Sequence, residues 1–308
     1  RQADAHDAPD SSDLCIRRLA DIWGHTQTWK PVERIPSGLR ILDDVLHGGF
    51  VTGAVHVIAG KPGNCKTQLG TQIAVNAARA GTAVGFISLE MTAADIGRLM
   101  LAQISGLPRR LIDRGVNALP DQDARMRMAN AMKAHASLPL DLMDGASIAG
   151  GCSRKDLQRA VEREISTRGW KLIVVDHLGE IAPLDNDPST QPLRVDRANM
   201  TALRLMAMQH DIAVVVVSPL RKAGNFKNAT KRPIVLDDVL GSSAIGYALH
   251  TCTAVVSSYR KPPKASQVAL AVLKNRTGPL PEKPLDLRWH PACGRIEDDF
   301  GAEATNAA

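Results

Sequence analysis

Residues 60–67 read Gly-Lys-Pro-Gly-Asn-Cys-Lys-Thr, between an apolar run, Ala54-Val55-His56-Val57-Ile58-Ala59, and a stretch of helical character over 67–80. A strand that turns through glycines directly into a helix is the front half of a βαβ unit, so this junction commits the chain to an α/β fold. The turn differs by one letter from the phosphate-binding loop, Gly, four residues, Gly-Lys and then Ser or Thr: Cys65 stands where the second glycine belongs. Successive backbone N–H groups in such a turn form an anion nest, and the helix behind it adds its positive end. Gly60, Lys61, Pro62, Gly63, Asn64, Cys65, Lys66, Thr67 and Gln68 are therefore the candidate nucleotide-binding residues. Lys66 would reach the β- and γ-phosphates, and Thr67 would place its hydroxyl on Mg2+. A Cβ at Cys65 costs about 1–2 kcal/mol if the position must be left-handed. That weakens binding without abolishing it. A chance match in an ordinary strand–turn–helix unit is the plain alternative.

A chain of 308 residues, 44% hydrophobic and 23% charged, has the composition of one large α/β domain with a substantial core. No apolar run is long enough to cross a bilayer, so no membrane partner is expected. No signal peptide opens the chain. The five cysteines are scattered without metal-ligand spacing, which reads as reduced thiols and a cytoplasmic location. The net charge of +6 suits anionic partners or plain solubility. Aromatic residues make up only 3%, so nucleic-acid contacts would run through phosphates rather than stacked bases.

Apolar runs at 55–59, 83–88, 172–176, 212–218, 253–257 and 268–273 read as buried strands, with a weaker candidate at 140–143. Helical patterns lie at 67–80, 92–105, 109–114, 121–136, 153–168 and 194–210. This alternation implies a mostly parallel twisted sheet with helices on both faces, and antiparallel edges are expected near the end. Residues 1–30 read as a polar, disordered stretch followed by a short amphipathic helix over 14–24. That helix either packs on its own domain or docks on a neighbouring subunit. The main domain spans 31–300, residues 221–233 form a basic loop, and residues 301–308 form a disordered tail.

Nucleotide hydrolysis needs an acid near the metal, a residue to orient water and positive charge for the transition state. Leu172-Ile173-Val174-Val175-Asp176 is a buried run ending in an acid, a Walker B strand, and Asp176 is the second candidate Mg2+ contact beside Thr67. Glu90, in Ser88-Leu89-Glu90-Met91, follows another buried strand at the sheet's carboxyl edge, where such folds bind ligands. It is the candidate general base. A strand-end carboxylate capping the next helix is the alternative for each acid. Lys274 and Arg276, separated by one residue at a strand end, point the same way and would serve as cationic fingers or as an ordinary basic turn. A thiol beside a lysine and a helix start can also have a lowered pKa, which raises a redox response at Cys65; a tolerated replacement is the plainer reading.

Five segments in order carry a resemblance. They are Ile35-Pro36-Ser37-Gly38-Leu39 with Leu42-Asp43 and Gly48-Gly49; Ser88-Leu89-Glu90-Met91; Leu111-Ile112-Asp113-Arg114-Gly115; Val174-Val175-Asp176-His177-Leu178; and Lys274-Asn275-Arg276-Thr277-Gly278-Pro279. Together they resemble the C-terminal motor domain of DnaB-type replicative helicases, over nearly everything from residue 34 to 299. The resemblance implies a RecA-like P-loop NTPase core and a homo-oligomer, a ring of six with ATP and Mg2+ bound between neighbours. Lys66 and Glu90 would act in one subunit and Lys274 and Arg276 in the next. Single-stranded DNA would pass through the centre, held by Arg221, Lys222, Lys227, Lys231 and Arg232. A primase or loader would be a further partner, and the helix over 14–24 would be the linker that docks on the adjacent motor.

Several positions depart from the family pattern. Cys65 replaces a glycine, Pro219 a γ-phosphate-sensing glutamine and Gly179 another glutamine. Leu240, Gly241 and Gly246 stand where Arg, Glu and Glu are usual. The implied function is ATP-dependent 5′-to-3′ DNA unwinding. The competing readings are a degenerate, non-catalytic subunit that regulates a helicase, and a RadA-like recombination ATPase.

Overall fold

A nine-stranded sheet carries the apolar runs in the computed structural model, which describes residues 31–145, 153–181, 192–220, 234–240, 246–257 and 267–298. Strand β1 (Arg34–Ile35) and helix α1 (Arg40–Val45) precede β2 (Phe50–Val51), β3 (Ala54–Gly60) and α2 (Lys66–Arg79). Then come β4 (Val84–Ser88), α3 (Ala93–Ser105), α4 (Arg109–Asp113), α5 (Gln122–Ala136) and β5 (Leu140–Asp144). The remainder is α6 (Arg154–Arg168), β6 (Leu172–Asp176), α7 (Pro192–His210), β7 (Ala213–Pro219), α8 (Leu236–Leu240), β8 (Thr251–Ser257), β9 (Gln267–Asn275), β10 (Leu285–His290) and β11 (Arg295–Asp298). All of these lie in the unit Arg34–Ala308, which separates from Arg1–Glu33.

The strand order is β11-β10-β9-β8-β3-β7-β6-β4-β5. Neighbours from β8 to β5 are parallel, while β9, β10 and β11 run antiparallel. The antiparallel edge expected near the chain end is thus three strands. β10 follows from the alternating pattern of Leu285-Asp286-Leu287-Arg288, a period-two signal that the apolar-run reading passes over, and the short β11 pairs with it. The short helix α1 was likewise not anticipated.

β6 is buried throughout and β7 up to Pro219, as continuous apolar runs require when helices cover both faces. Alternate residues feed opposite cores. Val174, Val215 and Val217 pack with Leu69 and Ile73 of α2. Val175, Val214 and Val216 pack with Leu157 of α6 and Met200 and Leu203 of α7. Helix starts follow local chemistry: the Thr92, Asp121 and Ser153 side chains each accept a backbone N–H in the first turn.

The segment ahead of the sheet clamps the helix that follows the glycine-rich turn. Asp43 accepts the Ser37 and Gly38 N–H groups at 2.7 and 3.0 Å, and Asn76 of α2 donates to the Ser37 carbonyl at 3.0 Å. Gly38 has φ +77°, and a Cβ there would fall 2.4 Å from the Asn76 side chain, so only glycine fits. Residues 1–30, the basic loop over 221–233 and the tail over 301–308 lie outside the described residues.

Candidate active site

The register brings the strand ends to one edge. Gly60 of β3 pairs with Pro219 of β7 and Val255 of β8, and Asp176 of β6 pairs with Ser88 of β4. The glycine-rich turn leaves this edge, and α2 starts at Lys66, directly after Cys65. Cys65 has φ 54° and ψ 21°, so the position does demand the left-handed conformation that glycine serves at no steric cost. Asn64 donates to the Val255 carbonyl at 3.2 Å, and the Lys66 ammonium donates to the Lys61 carbonyl at 3.1 Å, over the turn. Burial lowers the Lys66 pKa, opposed by the nearby charges of Asp176, Glu90 and Cys65.

At Cys65 the structure goes against the alternative of a lowered pKa. The side chain is buried in the main core, and burial pushes the thiol up to about 11, which the charge of Lys66 only partly offsets. The thiol stays protonated at neutral pH, which removes the basis for a redox response there.

Both carboxylate oxygens of Asp176 are buried without a hydrogen-bond partner. Burial raises the Asp176 pKa, as does the charge of Glu90. The Thr67 hydroxyl, close but outside hydrogen-bonding geometry, pulls it down, as do His177 and Lys66. An unpartnered buried carboxylate is costly unless a cation meets it. Glu90 follows β4 on a short turn that Ser88 closes, donating to the Met91 carbonyl at 2.7 Å and accepting the Met91 N–H at 3.1 Å. The Leu89 N–H donates to the Asp176 carbonyl at 2.6 Å, which seats this turn beside Asp176. The Glu90 side chain is 57% exposed and lies 3.7 Å from His177 Nε2.

These groups line one cleft of about 460 Å³, which brings together the glycine-rich turn, Lys66, Thr67, Glu90, Asp176 and His177. That is room for a small ligand of nucleotide size. Part of its lining was not anticipated. Arg109 lines it together with Pro291, Cys293 and Gly294 in the turn between β10 and β11. Pro291 and Gly294 signal a turn, but nothing local says that the turn reaches the cleft.

Lys274 and Arg276 are elsewhere. Asn275 between them pairs with Thr251, four residues down β8 from the level of Gly60, about 13 Å along the strand. Neither lines the cleft. They do point the same way: Lys274 donates to the Gly246 carbonyl at 2.6 Å, and Arg276 donates to the carbonyls of Leu249, at 3.0 Å, and of Tyr247. Arg221, Lys222, Lys227, Lys231 and Arg232 lie outside the described residues. No helix among the described residues is long and apolar enough to cross a membrane.

A mostly parallel sheet with helices on both faces, a glycine-rich turn from the central strand and an acid ending a nearby strand together define a RecA-like P-loop fold. The DnaB-like helicase C terminal domain family matches residues 34–298, and the chain belongs to that family. Among solved structures, one titled as a DnaB-like replicative helicase and its interactions with primase superposes with a TM-score of 0.77 at 17% identity, over 94% of this chain and 68% of that one. A solved ATPase domain gives 0.77 at 17% identity, over 91% and 96%. A KaiC-like protein from Pyrococcus horikoshii gives 0.57 at 17% identity, over 87% and 99%. At such identities these likenesses speak for the fold alone. Among curated proteins, none matches the sequence.

Proposed function

We propose that this chain is a motor that hydrolyses nucleoside triphosphates, ATP among them, moves on single-stranded DNA and unwinds duplex DNA, working as a ring of identical subunits. The observation that carries the reading is the convergence of Lys66, Thr67, Glu90 and Asp176 on one cleft at the carboxyl edge of the sheet. Membership of a helicase-domain family supports the choice of motor over other nucleotide hydrolases.

The turn's N–H groups and Lys66 bind the phosphates, and α2 directs its positive end at them. The orphaned oxygens of Asp176 beside Thr67 suit a divalent cation; these two residues would hold Mg2+. Among the described residues no cluster of three metal-binding side chains occurs, in keeping with a cation that takes one or two protein ligands and completes its shell with phosphate and water. Held there, the cation would supply positive charge for the phosphates. Glu90, exposed in the same cleft, orients the attacking water and accepts its proton. Lys274 and Arg276, remote from their own cleft, supply positive charge to a neighbour's site. Arg221, Lys222, Lys227, Lys231 and Arg232 contact DNA phosphates, and a primase or loader engages the assembled ring.

The test is strand displacement on a forked DNA duplex with Mg-ATP, beside Lys66→Ala and Glu90→Gln. Displacement that both substitutions remove supports the motor. A chain that binds ATP and oligomerises yet displaces nothing supports a non-catalytic, regulatory subunit instead. Pro219, which brings no polar side-chain group to the cleft, is the observation that keeps that second reading in play.

A further inference from the structure

Phosphate chemistry leaves the part of the cleft lined by Arg109, Pro291, Cys293 and Gly294 without a role. The turn between β10 and β11 contributes to that part and is built onto α2, the helix that follows the glycine-rich turn. The Ile296 N–H donates to Gln72 Oε1 at 2.7 Å, and Gln72 Nε2 donates back to the Ile296 carbonyl. Gln103 Nε2 donates to the carbonyls of Gln68 and Gly294, at 2.8 and 2.9 Å. Gly294 has φ +71°, and a Cβ there would fall 3.2 Å from both Gln68 of α2 and Leu99 of α3, a tight approach at a backbone conformation that favours glycine. The Arg109 N–H donates to the Ala292 carbonyl at 2.7 Å, which sets the start of α4 against the same turn.

The Arg109 side chain is therefore held in place from two sides. Its Nε lies 2.6 Å from Asp113 and one Nη lies 3.6 Å from Asp95; Nη1 takes part in neither contact. Around it the walls are Leu99, Pro291 and Cys293, and among the described residues no Phe, Tyr or Trp lines the cleft. The slot thus offers apolar surface and one cation of set orientation. With the phosphates on the glycine-rich turn, the flat apolar part of a nucleotide that remains is its base.

We propose that this part of the cleft is a nucleobase subsite in which Arg109 selects a 6-oxopurine, so that guanine nucleotides bind ahead of adenine nucleotides. The inference rests on the reading of the cleft as a nucleotide site. Guanine presents two acceptors, O6 and N7, on one edge, which a guanidinium fork can meet together. Adenine offers N7 beside its own N6 donor, which opposes the donors of Arg109.

The test titrates ribose-labelled fluorescent ATP and GTP, each with Mg2+, onto the full 308-residue chain and its variants. The wild type binds GTP about fivefold to tenfold more tightly than ATP, and Arg109→Ala brings the two within about twofold. Arg109→Gln supplies an amide that pairs with adenine N6 and N7, and shifts the preference to ATP. Equal affinities in the wild type, or a GTP preference that survives Arg109→Gln, overturns the subsite while leaving the nucleotide site standing. Failure of both nucleotides to bind, or binding indifferent to Lys66→Ala, overturns the nucleotide site and the subsite with it.

Discussion

Cys65 holds a left-handed conformation while its sulfur sits in the core, so two opposing costs meet at one residue. Cys65→Gly relieves the backbone and forfeits the burial, and its unfolding free energy stays within about 1 kcal/mol of wild type. Cys65→Ala keeps the strained Cβ and loses only the sulfur, so it is the less stable of the two; urea unfolding ranks them. Asp176 is the opposite case, a group whose environment suits a ligand rather than the fold. Asp176→Asn removes a buried, unpartnered charge and raises the melting temperature measured without Mg2+, corresponding to about 1 kcal/mol, while abolishing Mg2+-dependent turnover. A lower melting temperature would mean that Asp176 supports the fold. His56 is fully buried, its Nε2 hydrogen donated to the Val51 carbonyl and its Nδ1 accepting from Thr251. Burial lowers its pKa to about 3, against 6.5 for an ordinary histidine. The unfolded chain takes up this proton below 6.5 and the native chain does not until about 3. Stability is therefore whole above that window and falls as the pH drops through it, by at most about 1.4 kcal/mol per pH unit from this residue. Urea titrations at about pH 7 and pH 4 check the sign.

Among the elements, the antiparallel edge does the least expected work. Gln72 of α2 and Ile296 of β11 exchange two buried hydrogen bonds across 224 positions of sequence. Gln72→Ala strands two buried backbone groups and costs about 2–4 kcal/mol of unfolding free energy, measured by urea denaturation. A loss under about 1 kcal/mol would mean that water replaces the amide. The same contact marks where reading a sequence runs out. Parallel strands announce themselves as apolar runs, and helices as periodic stretches opened by Thr92, Asp121 and Ser153, because both signals are local. The glycine-rich turn, Glu90 and Asp176 are legible for the same reason: each sits where a buried strand ends. Arg109 and the Pro291–Gly294 turn carry no such signal, since only tertiary packing brings them to the cleft. Cys65 was legible as a departure, but the direction of its pKa was not. The neighbouring lysine is visible in sequence and the burial that outweighs it is not.

At the scale of the whole molecule, Lys274 and Arg276 stand about 13 Å along the strands from the level of the cleft, so a site completed by them needs a second copy. Lys66→Ala and Arg276→Ala are each inactive alone, and mixing them restores part of the turnover, because some interfaces then pair an intact cleft with an intact arginine. Mixtures that stay as inactive as the single variants would contradict sites shared between subunits. The central claim is a nucleotide hydrolase driven by DNA, and it is tested most directly by Mg-ATP hydrolysis with and without single-stranded DNA, beside Lys66→Ala. Turnover that rises with DNA and disappears in Lys66→Ala is the predicted result. Turnover no higher than that of Lys66→Ala, with DNA present, would contradict the motor.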